Sequence, residues 1–167
     1  AAMNDMATPS VSLEGKNLWL AQSLPVTPWQ VLRAKLKVQL ALTAIPALVP
    51  LACMALVLPL TPALPLIFVT ALSYIVFSAC LGLTLGVMRA NLTWTNELAP
   101  IKQSLAVAIA MFGGWAYALL LAGLYLLLGW RIGAAVYLAL VSAATIAAAL
   151  ALLKWLKTKG AQRLAAL

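Results

Sequence analysis

Four long apolar runs fill most of the chain after residue 37, and short polar segments separate them. The runs cover about residues 38–60, 64–88, 104–128 and 132–153, and none of them contains a charged residue. A helix needs roughly 20 apolar residues to cross a bilayer core, and one Lys or Arg at its centre costs about 2.5 to 3.5 kcal/mol. The pattern therefore predicts an all-α, polytopic membrane helix bundle with four transmembrane helices.

The residues ahead of the first run are more polar and divide into two parts. Residues 1–11 are small and polar and follow no period, so we expect them to form a flexible lead-in. Residues 12–37 mix polar and apolar positions, and Pro25 divides them into two short helical pieces. The predicted organisation is a lead-in, an amphipathic segment, and a transmembrane domain over residues 38–167.

Each helical piece of the amphipathic segment has its own start signal. Ser12 is the expected cap of the first piece, with Glu14 and Gly15 following it, and the helix would lie at an interface or against a partner. Thr27 is the expected cap of the second piece, and Pro28 occupies the first helical position, where its missing N–H costs nothing. We expect this second helix to continue into the first span.

The distribution of positive charge predicts the orientation in the membrane. If four spans alternate, all but Arg131 of the 11 basic residues share one side. The residues on that side are Lys16, Arg33, Lys35, Lys37, Arg89, Lys102, Lys154, Lys157, Lys159 and Arg163. By the positive-inside rule both termini, the 89–103 loop and the basic tail after residue 153 are cytoplasmic. The 61–63 and 129–131 turns then face outward.

Two features inside the spans bear on helix geometry and packing. Pro46 and Pro50 lie one turn apart in the first span, so we expect a kink or local unwinding there, serving either a gate or a packing adjustment. Small residues recur at four-residue spacing in the second span, as Ser78, Gly82 and Gly86, and in the fourth, as Ala139, Ala143, Ala147 and Ala151. Such spacing lets helix backbones approach closely, and it predicts a packed bundle.

Composition supports a membrane protein and leaves little for catalysis. The chain is 65% hydrophobic and 8% charged, whereas soluble domains are about 45 to 50% apolar and about 25% charged. It has no His and three acidic residues, and Cys53 and Cys80 lie in apolar runs away from any metal-binding spacing. We therefore expect no enzyme activity and no cofactor on this chain. The spans also lack the buried acid that proton-coupled transport uses.

Charge and chain start suggest two further expectations. The basic residues flank apolar runs and form no separate patch, which argues against nucleic acid and for contact with lipid headgroups. The chain begins without Met, so we expect a piece of a longer protein.

The polar 89–103 loop, with Glu97 and Lys102 as its opposite charges near Pro100, is either a solvated turn or a functional element.

Two blocks of residues resemble a known family. The run SLEGKNLWLAQSLPVTPWQVLRAKL, followed by four spans with TWTNELAPIKQS between the second and third, resembles the carboxy-terminal part of the membrane subunits of bacterial ABC-2 type exporters. The first block comprises Ser12, Glu14, Gly15, Lys16, Trp19, Ser23, Leu24, Pro25 and Lys35. The second comprises Trp94, Asn96, Glu97, Lys102, Gln103 and Ser104.

The resemblance implies a division of labour between subunits in a bacterial inner membrane. The membrane subunit carries the export path, while a partner ATPase subunit binds ATP and Mg²⁺. Residues 12–26 would form or support the helix that couples to the ATPase, with Trp19 and Leu20 as apolar anchors. At least two spans of a complete half are missing, so other segments or a second permease half would complete the transporter.

A rival reading remains open. The amphipathic segment also suits a helix that lies on lipid headgroups and binds no protein. The chain would then be a non-transport scaffold or assembly subunit. The substrate is open in either case, because polar residues such as Thr43, Thr70 and Ser142 suit both a transport path and hydrogen bonds between helices.

Overall fold

The computed structural model describes residues 6–15, 23, 25–57, 63–92 and 104–166, which are mainly helical and include no strand. Among the described residues the chain begins with the helices α1 (Ala7–Ser12), α2 (Pro28–Val57), α3 (Ala63–Met88) and α4 (Leu105–Leu124). The π-helical turn Tyr125–Gly129 follows, then α5 (Trp130–Ile132), α6 (Ala134–Trp155), the π-helical turn Leu156–Gly160 and α7 (Ala161–Ala165). The prediction of an all-α fold is confirmed.

Four helical stretches are long and apolar enough to cross a membrane. They are Pro28–Val57, Leu64–Met88, Leu105–Gly129 and Ala134–Ala165. Each contains an 18-residue window with a mean hydropathy between 2.0 and 2.3. These stretches overlap the four predicted spans, and they make the chain a membrane protein. The first stretch begins at Pro28 because α2 continues from the second helical piece into the span, as expected, and its 30 residues extend about 45 Å.

The start of α2 follows the predicted cap and adds a second partner to it. The helix begins at Pro28, directly after Thr27. The backbone N–H of Thr27 donates to Gln30 Oε1 at 2.7 Å, and the N–H of Gln30 donates to Thr27 Oγ1 at 3.4 Å. This reciprocal pair is a capping box, which satisfies two donors that the first turn leaves without helical partners.

Helix α3 is the centre of the described bundle. It contacts α1, α2, α4 and α6. A third of its most apolar window, 33%, is buried inside the chain, against 11% to 17% for the other spanning stretches. The remaining surface of the spans is apolar and exposed, so it must face lipid or further protein.

An apolar cluster of buried residues lies at one end of the bundle. Its members come from the start of α2, the end of α3, α1 and the segment after α6, and they are Ala7, Val11, Leu32, Leu36, Ala79, Cys80, Leu83, Val87, Leu156 and Leu164. The start of α2, the end of α3 and the tail therefore meet at the same end, as alternating spans require.

Two expectations about the connecting segments were wrong. Residues 7–11 belong to α1 instead of a flexible lead-in, because Ala7 and Val11 bury apolar surface against α2 and α3. The chain stays helical across 129–131 and breaks only at Gly133, whose φ of 89° suits a residue without a Cβ. The segment after residue 153 is basic as predicted, and its Leu156 and Leu164 are buried in the cluster.

Candidate functional site

The candidate site is the end of the bundle at which exposed cations gather, which we call the basic end. Its described exposed cations are Arg33, Lys37, Arg89, Lys154, Lys157, Lys159 and Arg163. They lie on the start of α2, just after α3, and on the stretch from the end of α6 to α7. The Arg163 guanidinium lies 6.0 Å from the centroid of the Trp155 ring, within cation–π range. These cations thus lie at the same end of the bundle, and the side of the membrane on which that end lies stays a prediction.

Helix α1 packs against α2 and α3 at the basic end. A methyl group added to Gly86 of α3 would collide with the backbone carbonyl of Thr8 and lie 3.2 Å from its Cα. Ala7 and Val11 of the same helix are buried in the apolar cluster. The backbone of α1 therefore lies directly against α3, and only a glycine at position 86 leaves room for it.

Hydrogen bonds fix both ends of this segment. At its start, the backbone N–H of Met6 donates to Gln39 Oε1 of α2 at 3.0 Å. At its end, the backbone N–H of Asn91, after α3, donates to Ser12 Oγ at 3.0 Å. The segment before residue 16 is thus attached to both α2 and α3, through contacts that span 33 and 79 positions of the chain.

An ion pair closes the loop after α1. Lys35 Nζ lies 2.7 Å from Glu14 Oε1 and donates to the carbonyl oxygen of Ser10 at 2.8 Å. The two side chains are 15% and 26% exposed, so the pair is screened from water more than a surface pair is. The second carboxylate oxygen, Glu14 Oε2, is buried without a hydrogen-bond partner in the described part of the chain. Lys35 therefore holds Glu14 against α2.

The structure places part of the predicted coupling segment and changes its local form. Ser12 is the last residue of α1 instead of an N-terminal cap, and its hydroxyl accepts a hydrogen bond from the backbone N–H of Asn91 beyond α3. Glu14 and Gly15 lie after that helix, and Gly15 has a φ of 44°, which glycine adopts without strain. Pro25 is exposed just before α2. The remaining coupling residues, Lys16, Trp19, Leu20 and Leu24, lie outside the described residues.

Of the second block of the resemblance, the structure describes Ser104, which directly precedes α4. Trp94, Asn96, Glu97, Lys102 and Gln103 all lie outside the described residues. Their predicted role in the 89–103 loop stays a prediction. Of the neighbouring positions, Asn91 precedes the block and bonds to Ser12, which ties this loop to the same end of the bundle as α1.

The prediction that small residues at four-residue spacing form a buried packing face agrees with the structure on α3 and disagrees with it on α6. On α3, Gly82 and Gly86 are buried and Ser78 is half-buried. On α6 the prediction of a packing stripe was wrong within this chain, because Ala139, Ala143, Ala147 and Ala151 are all exposed. The buried face of α6 is instead formed by Val141, Ser142, Thr145 and Ala149. Spacing alone gave no reason to choose between the two faces, since both are apolar or small.

The two prolines of the first span lie inside a continuous helix. Pro46 and Pro50 are both within α2, and the helix continues through them to Val57. The predicted local unwinding was therefore wrong. Both prolines are exposed, together with Ile45 and Val49, so the face that lacks N–H donors points away from the bundle. The kink itself stays a prediction.

The hydroxyl groups of the spans mostly bond back to their own helices. Thr43, Thr70 and Thr84 each donate to the carbonyl oxygen four positions earlier, at 2.7 Å. Sequence reasoning did not single out Tyr74 and Tyr117, whose stacked rings join α3 and α4. The hydroxyl of Tyr74 also donates to the carbonyl oxygen of Gly114.

No group of metal-binding side chains occurs among the described residues.

Comparison with protein-family models, curated proteins and solved structures gave no match to this chain. The fold and the basic end therefore define a class, an all-α membrane protein with four helices able to span a bilayer.

Proposed function

We propose that this chain is the transmembrane permease part of an ABC-2 type exporter, lying in a bacterial inner membrane with both termini cytoplasmic. ATP and Mg²⁺ would bind to a partner ATPase subunit that docks at the basic end. The proposal rests on the resemblance of residues 12–36 and of the 93–104 loop. The observation that carries it furthest is the double attachment of the segment before residue 16 to α2 and α3.

The attachment is what a coupling element needs. A displacement delivered by a partner reaches the membrane helices only if the docking segment is held without slack. The close contact of Thr8 with Gly86 and the Glu14–Lys35 pair connect this segment to α3 and α2. Because α3 contacts the other spanning helices, a movement of α1 would be passed to the whole bundle.

A non-transport scaffold is the second candidate, and the exposed apolar surface favours it equally. No more than a third of any spanning window is buried inside the described chain. That surface would be covered by further transmembrane segments in a transporter, or by lipid and client proteins in an assembly subunit. The two candidates differ in whether an ATPase binds and responds.

The test is copurification of the tagged chain with an ATPase subunit from its native membranes, followed by an ATPase assay. We expect an ATPase with a nucleotide-binding motif to copurify, and the Glu14→Ala, Trp19→Ala double variant to lose both binding and stimulation. Arg131→Ala, at the opposite end of the bundle, is the matched charge-removing control. It should behave as the wild type.

Two outcomes would count against coupling. If the double variant keeps ATPase binding and stimulation, the segment before α2 is not the docking element. If no ATPase copurifies with the wild-type chain, the scaffold is favoured. A Lys35→Ala variant removes the ion pair that holds Glu14 against α2 and leaves Trp19 in place. It should therefore still bind the ATPase but stimulate ATP hydrolysis less than the wild type does.

A further inference from the structure

A cleft lies among α3, α4 and α6 in the half of the bundle far from the basic end. Its volume is about 330 Å³, at the small end of the range typical of ligand pockets. Its wall is mostly apolar, with Leu121 and Leu138 among the lining residues. Four of the lining residues bear a hydroxyl group, and they are Thr70, Tyr74, Tyr117 and Thr145.

The hydrogens of these hydroxyls are already committed to the protein. Tyr74 donates to the carbonyl oxygen of Gly114 at 3.1 Å, and Thr70 donates to that of Leu66 at 2.7 Å. Thr145 donates its single hydrogen to the carbonyl oxygen of Val141 at 2.7 Å.

The Tyr117 hydroxyl lies 2.7 Å from Thr145 Oγ1. Since the hydrogen of Thr145 is already used, Tyr117 must be the donor in this pair. All four hydroxyls are therefore donors to the protein, and each offers a ligand only the lone pairs of its oxygen. The cleft can accept hydrogen bonds and cannot donate them.

The two tyrosine oxygens are held in place by their rings. The rings of Tyr74 and Tyr117 are stacked, with centroids 5.7 Å apart and planes 9° from parallel. Phe77 packs on Tyr117 with centroids 5.2 Å apart. Such aromatic contacts restrict ring rotation, so the acceptor oxygens are positioned before any ligand arrives.

Charge restricts the ligand further. None of the residues that line the cleft carries a charge, and the chain has no acidic residue between Glu14 and Glu97. A cation bound here would be desolvated without a counter-charge, and an anion would also lack donors. The ligand class that satisfies both limits is neutral, apolar and equipped with a donor.

We propose that this cleft binds the hydroxyl end of a neutral lipid alcohol. The ligand hydroxyl donates its one hydrogen to the oxygen of Tyr74 or to that of Tyr117, and its hydrocarbon chain lies along the apolar wall near Leu121 and Leu138. The lining residues Ile67 to Tyr74 lie about 6 to 17 Å along α3 from Ala63, at a depth where lipid chains and their attachment groups are found. The proposal does not depend on an ATPase partner.

Photolabelling of the purified full-length chain in lipid nanodiscs tests this inference. The probes are a diazirine-bearing alkyl alcohol and the carboxylate and trimethylammonium compounds with the same alkyl chain. We expect the alcohol to label peptides containing residues 67–74, 117–121 or 138–145 saturably. The two charged probes should label these peptides at least about tenfold less, the ratio that corresponds to about 1.4 kcal/mol.

Variants separate hydrogen bonding from packing. Tyr74→Phe with Tyr117→Phe keeps both rings but removes both acceptor oxygens, so alcohol labelling of the cleft should fall about tenfold. Tyr125→Phe is the matched control, because Tyr125 contacts Tyr137 and is not among the residues lining the cleft. Ala118→Phe fills the cleft and should abolish labelling while leaving both tyrosine oxygens in place.

The outcomes are decisive in both directions. Equal labelling by the three probes, or unchanged labelling in the double Phe variant, overturns the proposal. Circular dichroism and thermal unfolding of each variant show whether the bundle is intact. If the double Phe variant is unfolded, the Ala118→Phe variant and the comparison of the three probes still decide, and saturable alcohol labelling that Ala118→Phe does not reduce overturns the proposal.

Discussion

The absence of a side chain at Gly86 lets the backbone of Thr8 lie directly against α3. Any Cβ at this position meets backbone atoms, which cannot turn aside as a flexible side chain can. On α4, a methyl group on Gly113 would meet nothing within 4 Å. A side chain is thus excluded at Gly86 and tolerated at Gly113, and the difference arises because α1 packs against one glycine and no described segment packs against the other.

Replacing Gly86 with Ala should detach α1 from the bundle. Overpacking costs about 1 to 3 kcal/mol, so the accessible population of α1 should rise at least about fivefold. The measurement is the maleimide labelling rate of a Val11→Cys variant in a Cys53→Ser, Cys80→Ala background, since Val11 is fully buried, Cys53 is exposed, and Cys80 lies in the same cluster as Val11. Gly113→Ala in the same background is the control and should leave the rate unchanged.

Equal labelling rates in the Gly86→Ala and Gly113→Ala variants would show that α1 does not depend on the contact at Gly86. The hydrogen bonds at Met6 and Ser12 would then be sufficient to hold it. A rise confined to the Gly86→Ala variant would establish the close contact as the reason why the segment before α2 stays at the basic end.

At the scale of elements, the stretch after α6 is part of the bundle. The π-helical turn Leu156–Gly160 widens the helix by one residue, and it precedes α7. Leu156 is fully buried and Leu164 is 4% exposed, and both pack in the cluster with Leu32 and Val87. The cationic residues of this stretch remain exposed on its other side. The tail is therefore amphipathic and docks through its leucines.

Truncating Leu164 to Ala should destabilise the bundle by about 2 to 5 kcal/mol, the usual cost of removing a buried leucine side chain. Leu150→Ala on α6 is the matched control, because Leu150 is 62% exposed. Thermal unfolding in detergent should show a lower midpoint for Leu164→Ala than for Leu150→Ala. Equal midpoints would mean that the leucines of the tail contribute no packing energy.

At the scale of the whole molecule, the two ends of the bundle differ in the number of cationic side chains that they carry. The described cations other than Arg131 lie at or beside the basic end, on the start of α2, after α3 or after α6. Translocating such a cluster across a membrane is unfavourable, so the basic end is expected on the cytoplasmic side. The opposite end carries the Gly133 break and the aromatic contact between Tyr125 and Tyr137.

A reporter fused after Leu167 checks this orientation. A reporter that is active only in the cytoplasm should be active, and one that is active only after export should be silent. The same pair fused within the 129–133 connection should give the reverse result. Export-dependent activity after Leu167 would overturn the orientation, and the ATPase could then not dock at the basic end.

Much of the fold could be predicted from the sequence alone, because it follows from local chemistry. Runs without charge exceed the length of a bilayer core, and this determines the spans. The Thr27 and Pro28 pair starts α2 as expected, since a cap depends only on residues within one turn. In a chain with four alternating spans, the segments before the first span, between the second and third, and after the fourth lie at the same end, and these segments carry the cations other than Arg131. In the candidate site, Glu14 and Lys35 belong to the block that the sequence singled out, although their pairing did not follow from it.

The tertiary structure alone decided which faces pack and where the segment ahead of α2 lies. In helices that are apolar on every side, hydrophobic periodicity carries no information about the buried face, so the alanine stripe of α6 was assigned to packing although it is exposed. The contacts of Thr8 with Gly86, of Ser12 with Asn91 and of Tyr117 with Thr145 join residues far apart in the chain. Such contacts depend on the position of several helices at once, and no local pattern encodes them.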